Sequence, residues 1–275
     1  MGSNDIPPPH VARHVVPVCN GLLQIGGTLW TICYVLMVRE SLRTKSYGMP
    51  LFALAFNLAW EVVYAVVVAE ERLEQFCFGV WLVIDCGLVY GVVRHGRNEW
   101  AHAPLVQRHV GLLFGLLAAA CVLAHWTFAR WWLAHGFGGG RPGKSYGGVD
   151  AAVDTTELGY WTAMLAQVIL SAMSLAQLLV REHSGGVSWS IWAARALGSV
   201  VGLDAQYAWA WYYWRDAHEY FMSPFSVFLW STGLLCDAVY PFVLWRVRKT
   251  ERVAEDGRKI RGSLLLESDK HGKQL

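Results

Sequence analysis

Apolar residues along this chain do not recur at the three-and-four spacing of an amphipathic helix. They gather into seven blocks near the length of about 20 residues that a bilayer-crossing helix requires. The blocks run Val18–Val38, Leu51–Val68, Phe76–Val93, Val110–Phe128, Thr162–Val180, Trp189–Trp209 and Phe225–Trp245, and each stretch between them holds charges, Gly or Pro. The pattern predicts an all-α integral membrane protein, a bundle of seven transmembrane helices. Residues 1–17 form a short N-terminal segment, 18–248 the transmembrane domain and 249–275 a basic tail. The first block is long and has no basic run close before it, so it reads as a retained helix rather than a cleaved signal peptide.

Composition strengthens this picture. Hydrophobic residues make up 55% of the 275, charged residues only 16%, and the mean hydropathy is +0.31; soluble domains carry roughly a quarter charged residues. Lys and Arg fall unevenly between the two sides: six on the side of the N-terminus, sixteen on the other, with Arg195 inside a block. Cytoplasmic loops retain positive charge, so the N-terminus is expected in the lumen and the C-terminus in the cytosol. The tail RVRKTERVAEDGRKIRG supplies most of the net charge of +2, which indicates topology and contact with anionic lipid rather than nucleic-acid binding. Integral membrane localisation, in the endoplasmic reticulum, and a lipid bilayer as partner follow as expectations.

The six cysteines show no CxxC and four lie well inside blocks, where a thiol behaves as a small hydrophobe; no disulfide framework is indicated, though Cys19 and Cys77, at block ends near the lumenal face, are placed where a bridge is possible. No glycosylation acceptor or prenylation box is present.

Ionisable groups in hydrocarbon are expensive and point to function. Four acids lie inside the blocks: Glu61, Asp85, Asp204 and Asp237. The single basic residue there, Arg195, sits near the cytosolic end of its helix, where its stem can snorkel to the headgroups. Carboxyls left unpaired in low dielectric resist ionisation and are expected to act as proton donors. Helical spacing puts Asn57, Glu61 and Tyr64 on one stripe with Trp60 alongside, and Trp230, Gly233, Asp237 and Tyr240 on another. Three acids open the pattern acid-x-x-Tyr, with Tyr64, Tyr207 and Tyr240 one turn on. Asp85 and Asp204 also fit plain interhelical hydrogen bonding. The aromatic runs Trp126–Phe137 and Trp209–Trp214 read as interfacial anchors that also suit the roof of a cavity.

Several chemistries are excluded or disfavoured. Every lysine lies outside the blocks, so a retinal Schiff base within the bundle is excluded. No DDxxD-like cluster exists to hold magnesium on a diphosphate; Asp150 and Asp154 are a loop pair. His95, His102 and His109 flank Pro104 in a basic loop and read as solvated rather than as metal ligands. The glycine-rich stretch from Ala134 to Gly148 lacks the ending of a phosphate cradle and reads as a flexible connector. Intramembrane acids also relay protons, which keeps a proton-coupled transporter or small-molecule-binding receptor as the alternative class.

The segments AFNLAWEVVYA (Ala55–Ala65) and LLCDAVYPFVLW (Leu234–Trp245) resemble those of the fungal integral-membrane terpene cyclases of meroterpenoid and indole-diterpenoid biosynthesis. The resemblance implies a membrane-bound, proton-initiated cyclase, isomerase or lyase in type and not diphosphate-ionising. A carboxylic acid protonates the terminal epoxide or alkene of a farnesyl or geranylgeranyl chain, and carbocation cyclisation follows. It implies Glu61, with Asn57 and Trp60 before it, and Asp237 as catalytic. Together with the helical spacing, the expectation is that both acids line one water-free hollow in uncharged form and that Asn57, Trp60, Tyr64, Asp85, Asp204, Tyr207, Trp230 and Tyr240 bind substrate, Asp85 and Asp204 being pocket acids or structural hydrogen bonders. The substrate is a lipophilic prenylated small molecule; no metal, organic cofactor or obligate protein partner is implied. The glycine-rich loop and the tail have no counterpart in the resemblance.

Overall fold

The computed structural model describes residues 5–150 and 152–262. The last residues of the expected tail, 263–275, lie outside them. Six helices are long and apolar enough to cross a membrane: α1 (Val15–Thr44), α2 (Leu51–Val63) with its π-helical extension (Tyr64–Val68), α3 (Arg72–Glu99), α4 (Pro104–His135), α5 (Thr155–Arg181) and, late in the chain, α9 (Pro224–Thr250). The sixth block is helical throughout but in three pieces: α6 (Trp189–Ser199), a π-helical segment (Val200–Ala205) and α7 (Gln206–Tyr213). A short α8 (Arg215–His218) and a 3-10 turn (Glu219–Met222) connect it to α9. The helices overrun the blocks by several residues because polar ends such as Arg39–Thr44 continue the helix past the apolar core.

Helix α2 is the hub. Half of the residues in its span are buried, against 22–28% in the other five, and it packs on α3, α4 and α5. The outer helices turn apolar stripes away from the protein: Leu112, Leu116 and Leu123 on α4, and Phe228, Leu235 and Phe242 on α9. Such unpartnered apolar faces suit lipid. Helix α1 crosses α6 at glycines. A Cβ on Gly26 would lie 2.3 Å from the Gly202 Cα and 2.9 Å from the Gly198 carbonyl oxygen, so only glycine allows this approach.

The glycine-rich connector is not loose. It carries a two-residue antiparallel ribbon, β1 (Ser145–Tyr146) with β2 (Val149–Asp150), and its Lys144 is 1% exposed. Lys144 Nζ donates to Asp5 at 2.8 Å, lies 3.6 Å from Asp154, and stacks over the Trp214 ring. Arg141 pairs with Glu157 at 2.6 Å and with Asp154 at 3.4 Å. Asp154 in turn caps α5 by accepting from the Glu157 N–H. The expected flexibility fails because the buried Lys144 and the half-buried Arg141 each pair with anions that belong to the N-terminal segment and to the start of α5. Gly143, at positive φ, passes so close to Ile6 and Trp214 that a side chain would collide.

The tail is also tied down at its start. β3 (Arg252–Val253) pairs with β4 (Lys259–Ile260), and Lys259 Nζ donates to the Ser184 hydroxyl and lies 3.5 Å from Glu251. The six cysteines are free thiols, so Cys19 and Cys77 are not joined; Cys19 Sγ instead donates to the Gln206 carbonyl.

His218 is buried beside this end of the bundle and bonds the Tyr220 hydroxyl at 2.7 Å. Loss of solvation, then the Lys144 and Arg141 charges, hold its imidazole well below the ordinary range. The unfolded chain therefore takes up a proton near pH 6.5 that the folded chain refuses. Stability conferred by neutral His218 is full above that pH and falls as pH drops below it, by at most about 1.4 kcal/mol per pH unit. Thermal unfolding in detergent from pH 7 to 5 should show a shallower fall for His218→Gln than for the parent chain; equal slopes would dismiss this role.

Candidate active site

The intramembrane acids form two centres. In the first, Glu61 and Asp85 are 1% and 0% exposed. Asn57, one turn before Glu61, donates through Nδ2 to Glu61 Oε1 at 3.0 Å and lies 3.4 Å from Asp85 Oδ2 and 2.7 Å from the Tyr34 hydroxyl. Tyr34 on α1 donates to the same Glu61 oxygen at 3.3 Å. Glu61 Oε2 and Asp85 Oδ1 have no partner among the described residues. No Lys, Arg or His pairs with either carboxyl among those residues. Two adjacent carboxyls without a cation cannot both be ionised in low dielectric, so this centre carries at least one proton.

The second centre is charge-compensated. Arg195 is 2% exposed, and its Nη2 donates to Asp237 Oδ1 at 2.5 Å. Ser171 and Gln167 on α5 donate to Asp237 Oδ2 at 3.0 and 3.2 Å, and the Trp192 indole donates to the Asp237 main-chain carbonyl at 3.0 Å. The guanidinium also lies over the Tyr240 ring at 5.2 Å. The expectation that Arg195 snorkels is overturned. Its side chain turns inward because α6 packs against both α1 and α9, and the Asp237 carboxylate lies within reach there. Asp237 is accordingly held by a cation and two neutral donors and is not an unpaired carboxyl.

Beside Asp237 opens a small recess lined by Met164, Gln167, Ser199, Val200, Asp204, Trp230, Gly233, Leu234 and Asp237. Asp204 belongs to the π-helical segment. Of the sequence-derived residues, the recess gathers Asp204, Trp230 and Asp237. Glu61 is not in its lining, so Glu61 and Asp237 do not share one hollow here. Their helices meet different neighbours: Glu61 faces Tyr34 of α1 and Asp85 of α3, whereas Asp237 faces α5 and α6.

The proposed stripe on α2 also divides. Trp60 and Tyr64 stack on each other at 4.9 Å and both bond Thr162 on α5, where Tyr64 also donates to the Leu158 carbonyl. Asn57 and Glu61 look to α1 and α3. Each pair holds its i, i+4 relation, but the central helix has a different neighbour on either side of a narrow arc. In none of the three acid-x-x-Tyr patterns does the phenol bond its acid: Tyr207 donates to the Thr156 carbonyl and Tyr240 supports Arg195. Sequence reasoning missed Tyr34, Gln167, Ser171 and Ser199. Gln167 and Ser171 carried a signal, being polar at i, i+4 in an apolar block.

A family model described as Pyr4-like transmembrane terpene cyclases matches residues 3–250. The chain is 47% identical to the terpene cyclase ascF of Acremonium egyptiacum, over 92% of this chain and 90% of that protein. It is 36% identical to the terpene cyclase dpchB of Colletotrichum higginsianum, over 89% and 92%, and 34% identical to the Pyr4-family terpene cyclase mfmH of Annulohypoxylon moriforme, over 87% and 90%. No solved structure matches.

Removing one partner of a buried ion pair strands the other charge, at a cost of about 3–5 kcal/mol, whereas removing both is close to neutral. Arg195→Met should lower the apparent Tm in detergent sharply, and the double variant Arg195→Met/Asp237→Leu should recover more than half of the loss. Additive losses would mean that the two side chains act independently.

Proposed function

The chain belongs to the Pyr4-like transmembrane terpene cyclases, and from that premise we propose that it starts ring closure by protonating the end of a polyprenyl chain, farnesyl or geranylgeranyl in length. The bundle is a membrane enzyme that cyclises a lipophilic terpenoid. In the proposed reaction a carboxylic acid transfers its proton to a terminal epoxide or alkene. The cation so formed is captured by successive double bonds, and a carboxylate removes the last proton. No diphosphate leaves, and the protein is regenerated with its protons redistributed.

The observation that carries this reading is the asymmetry between the two acid centres. Glu61 and Asp85 stand together without a cation, so proton-bearing carboxyl is retained in the dry interior. Asp237 has Arg195 and remains anionic, which suits it to stabilise a passing carbocation and to take the final proton. Aromatic faces, Trp230 at the recess and Trp60 and Tyr64 on α2, support the same chemistry because π surfaces tolerate positive charge without quenching it. A lipid-facing exterior accords with a substrate that enters from the bilayer. The N-terminus in the lumen of the endoplasmic reticulum, the C-terminus in the cytosol and the three-piece helix Trp189–Tyr213 as a seventh span complete the proposal.

Membranes carrying the protein, incubated with epoxyfarnesyl and epoxygeranylgeranyl aromatics, should convert them to products of unchanged mass and altered chromatographic retention. Glu61→Gln and Asp237→Asn should each lower cyclised product per unit of inserted protein by about 100-fold or more, the contribution expected of acid–base groups. Full turnover in both variants would remove the mechanism, and substrate bound or moved without covalent change would point to a receptor or transporter.

A further inference from the structure

The recess beside Asp237 has a second carboxyl, Asp204, and its surroundings differ from those of the other acids. Asp204 makes no hydrogen bond or ion pair among the described residues. Two further lining groups are unsatisfied: the Ser199 hydroxyl, on a residue 4% exposed, and the Trp230 indole N–H have no partner among the described residues. A buried polar atom without a partner costs about 1–3 kcal/mol. Two such groups beside a half-buried carboxyl without a partner, around one small recess, are explained if a ligand atom bonds them. All three can donate: an O–H of Ser199, an N–H of Trp230, and the O–H of Asp204 if it carries its proton.

Asp204 has reason to carry it. The one cation nearby, Arg195, already bonds Asp237, and the Asp237 carboxylate across the recess is a like charge that opposes a second anion. The backbone also presents this residue specially. Val200–Ala205 is π-helical, a distortion that re-aims side chains and recurs at functional sites. The distortion begins directly after Ser199 and includes Gly202, the residue against which Gly26 of α1 is wedged. The segment that bears Asp204 is thus fixed on one side by a glycine crossing and open on the other to the recess.

We infer that Asp204 is a further catalytic residue, the acid that meets the reacting end of the prenyl chain inside this recess, with Ser199 and Trp230 as the donors that seat it. This rests on the proton-initiated reading above and assigns the contact that Glu61, absent from the recess lining, does not make. For an epoxidised chain, the Asp204 O–H bond breaks and its proton passes to the ring oxygen. The C–O bond to the more substituted carbon opens, with the electron pair going to oxygen, and the resulting hydroxyl stays between Ser199 and Trp230. The neighbouring alkene supplies the electron pair of the new C–C bond. The last cation loses a proton to the Asp237 carboxylate, and transfer of that proton back across the recess to Asp204 resets the site without any external reagent.

The test compares cyclisation per unit of inserted protein in membranes given epoxyfarnesyl and epoxygeranylgeranyl aromatics. Asp204→Asn, an uncharged isostere, should insert as the parent does and lose about 100-fold or more of the rate. Asp204→Ala should be as inactive but regain at least about tenfold on addition of formic acid, which fits the vacated space and restores a proton donor; Asp204→Asn should not respond. Rescue of this kind would not follow from a purely structural role. Near-parental turnover in Asp204→Asn, an inserted Asp204→Ala that formic acid leaves inactive, or failure of the isostere to accumulate would each overturn the assignment. Turnover kept by Asp204→Asn but lost in Glu61→Gln and Asp237→Asn would strike this inference alone, whereas turnover kept in all three would strike the proton-initiated reading itself.

Discussion

Low dielectric forces every charge in this bundle to find its counter-charge or give up its charge, and the Arg195–Asp237 bond is where that constraint is met in full. Moving either ion from water into hydrocarbon costs several kcal/mol even after relaxation. Their short contact offsets this only because Ser171 and Gln167 occupy the second carboxylate oxygen and the Tyr240 ring lies against the guanidinium. The bond joins α6 to α9, and α5 donates to the same carboxylate, so the recess beside Asp237 is bounded by the same elements that satisfy the pair. Glu61 and Asp85 have no such counter-charge among the described residues and share Asn57 instead.

The division between a centre without a cation and one with a cation is what the proposed proton-initiated cyclisation would ask of the protein. A proton donor must stay un-ionised until substrate arrives, and an acceptor must stay anionic without attacking or quenching the cation early. One type of side chain, in a dry interior, can be both only if its surroundings differ. Here they differ by one arginine. The donors that satisfy Asp237 are fixed by α5 packing, so the anion is held still rather than solvated, a condition that favours electrostatic stabilisation of a moving positive charge.

Much of this was legible in the sequence, and the parts that were not have identifiable causes. The spans were legible because a bilayer demands about 20 apolar residues in a row, and the four acids stood out because the only Lys or Arg in those blocks is Arg195. The role of Arg195 was not legible: a long cationic side chain near a helix end can reach headgroups or turn inward, and only the neighbour of α6 decides. Asn57 and Glu61 were placed together correctly by their spacing, yet Trp60 and Tyr64, within the same arc of α2, belong to a different neighbour. A hub helix surrounded by partners changes environment over a fraction of a turn. The ordered glycine-rich loop was hidden because the partners of Lys144 and Arg141, at Asp5, Asp154 and Glu157, lie far from them in sequence or across an element boundary.

The π-helical segments mark the remaining limit of periodic reasoning and explain why Asp204 was hard to place. A 3.6-residue period puts Arg195 and Asp204 on opposite sides of one helix, out of reach of a common site. The widened turn from Val200 to Ala205 interrupts that count between them, and both residues come to flank Asp237, one through its carboxylate and one across the recess. The same turn carries Gly202, whose lack of a side chain lets it touch Gly26 of α1. One short segment therefore serves packing on one face and, in the reading proposed here, chemistry on the other.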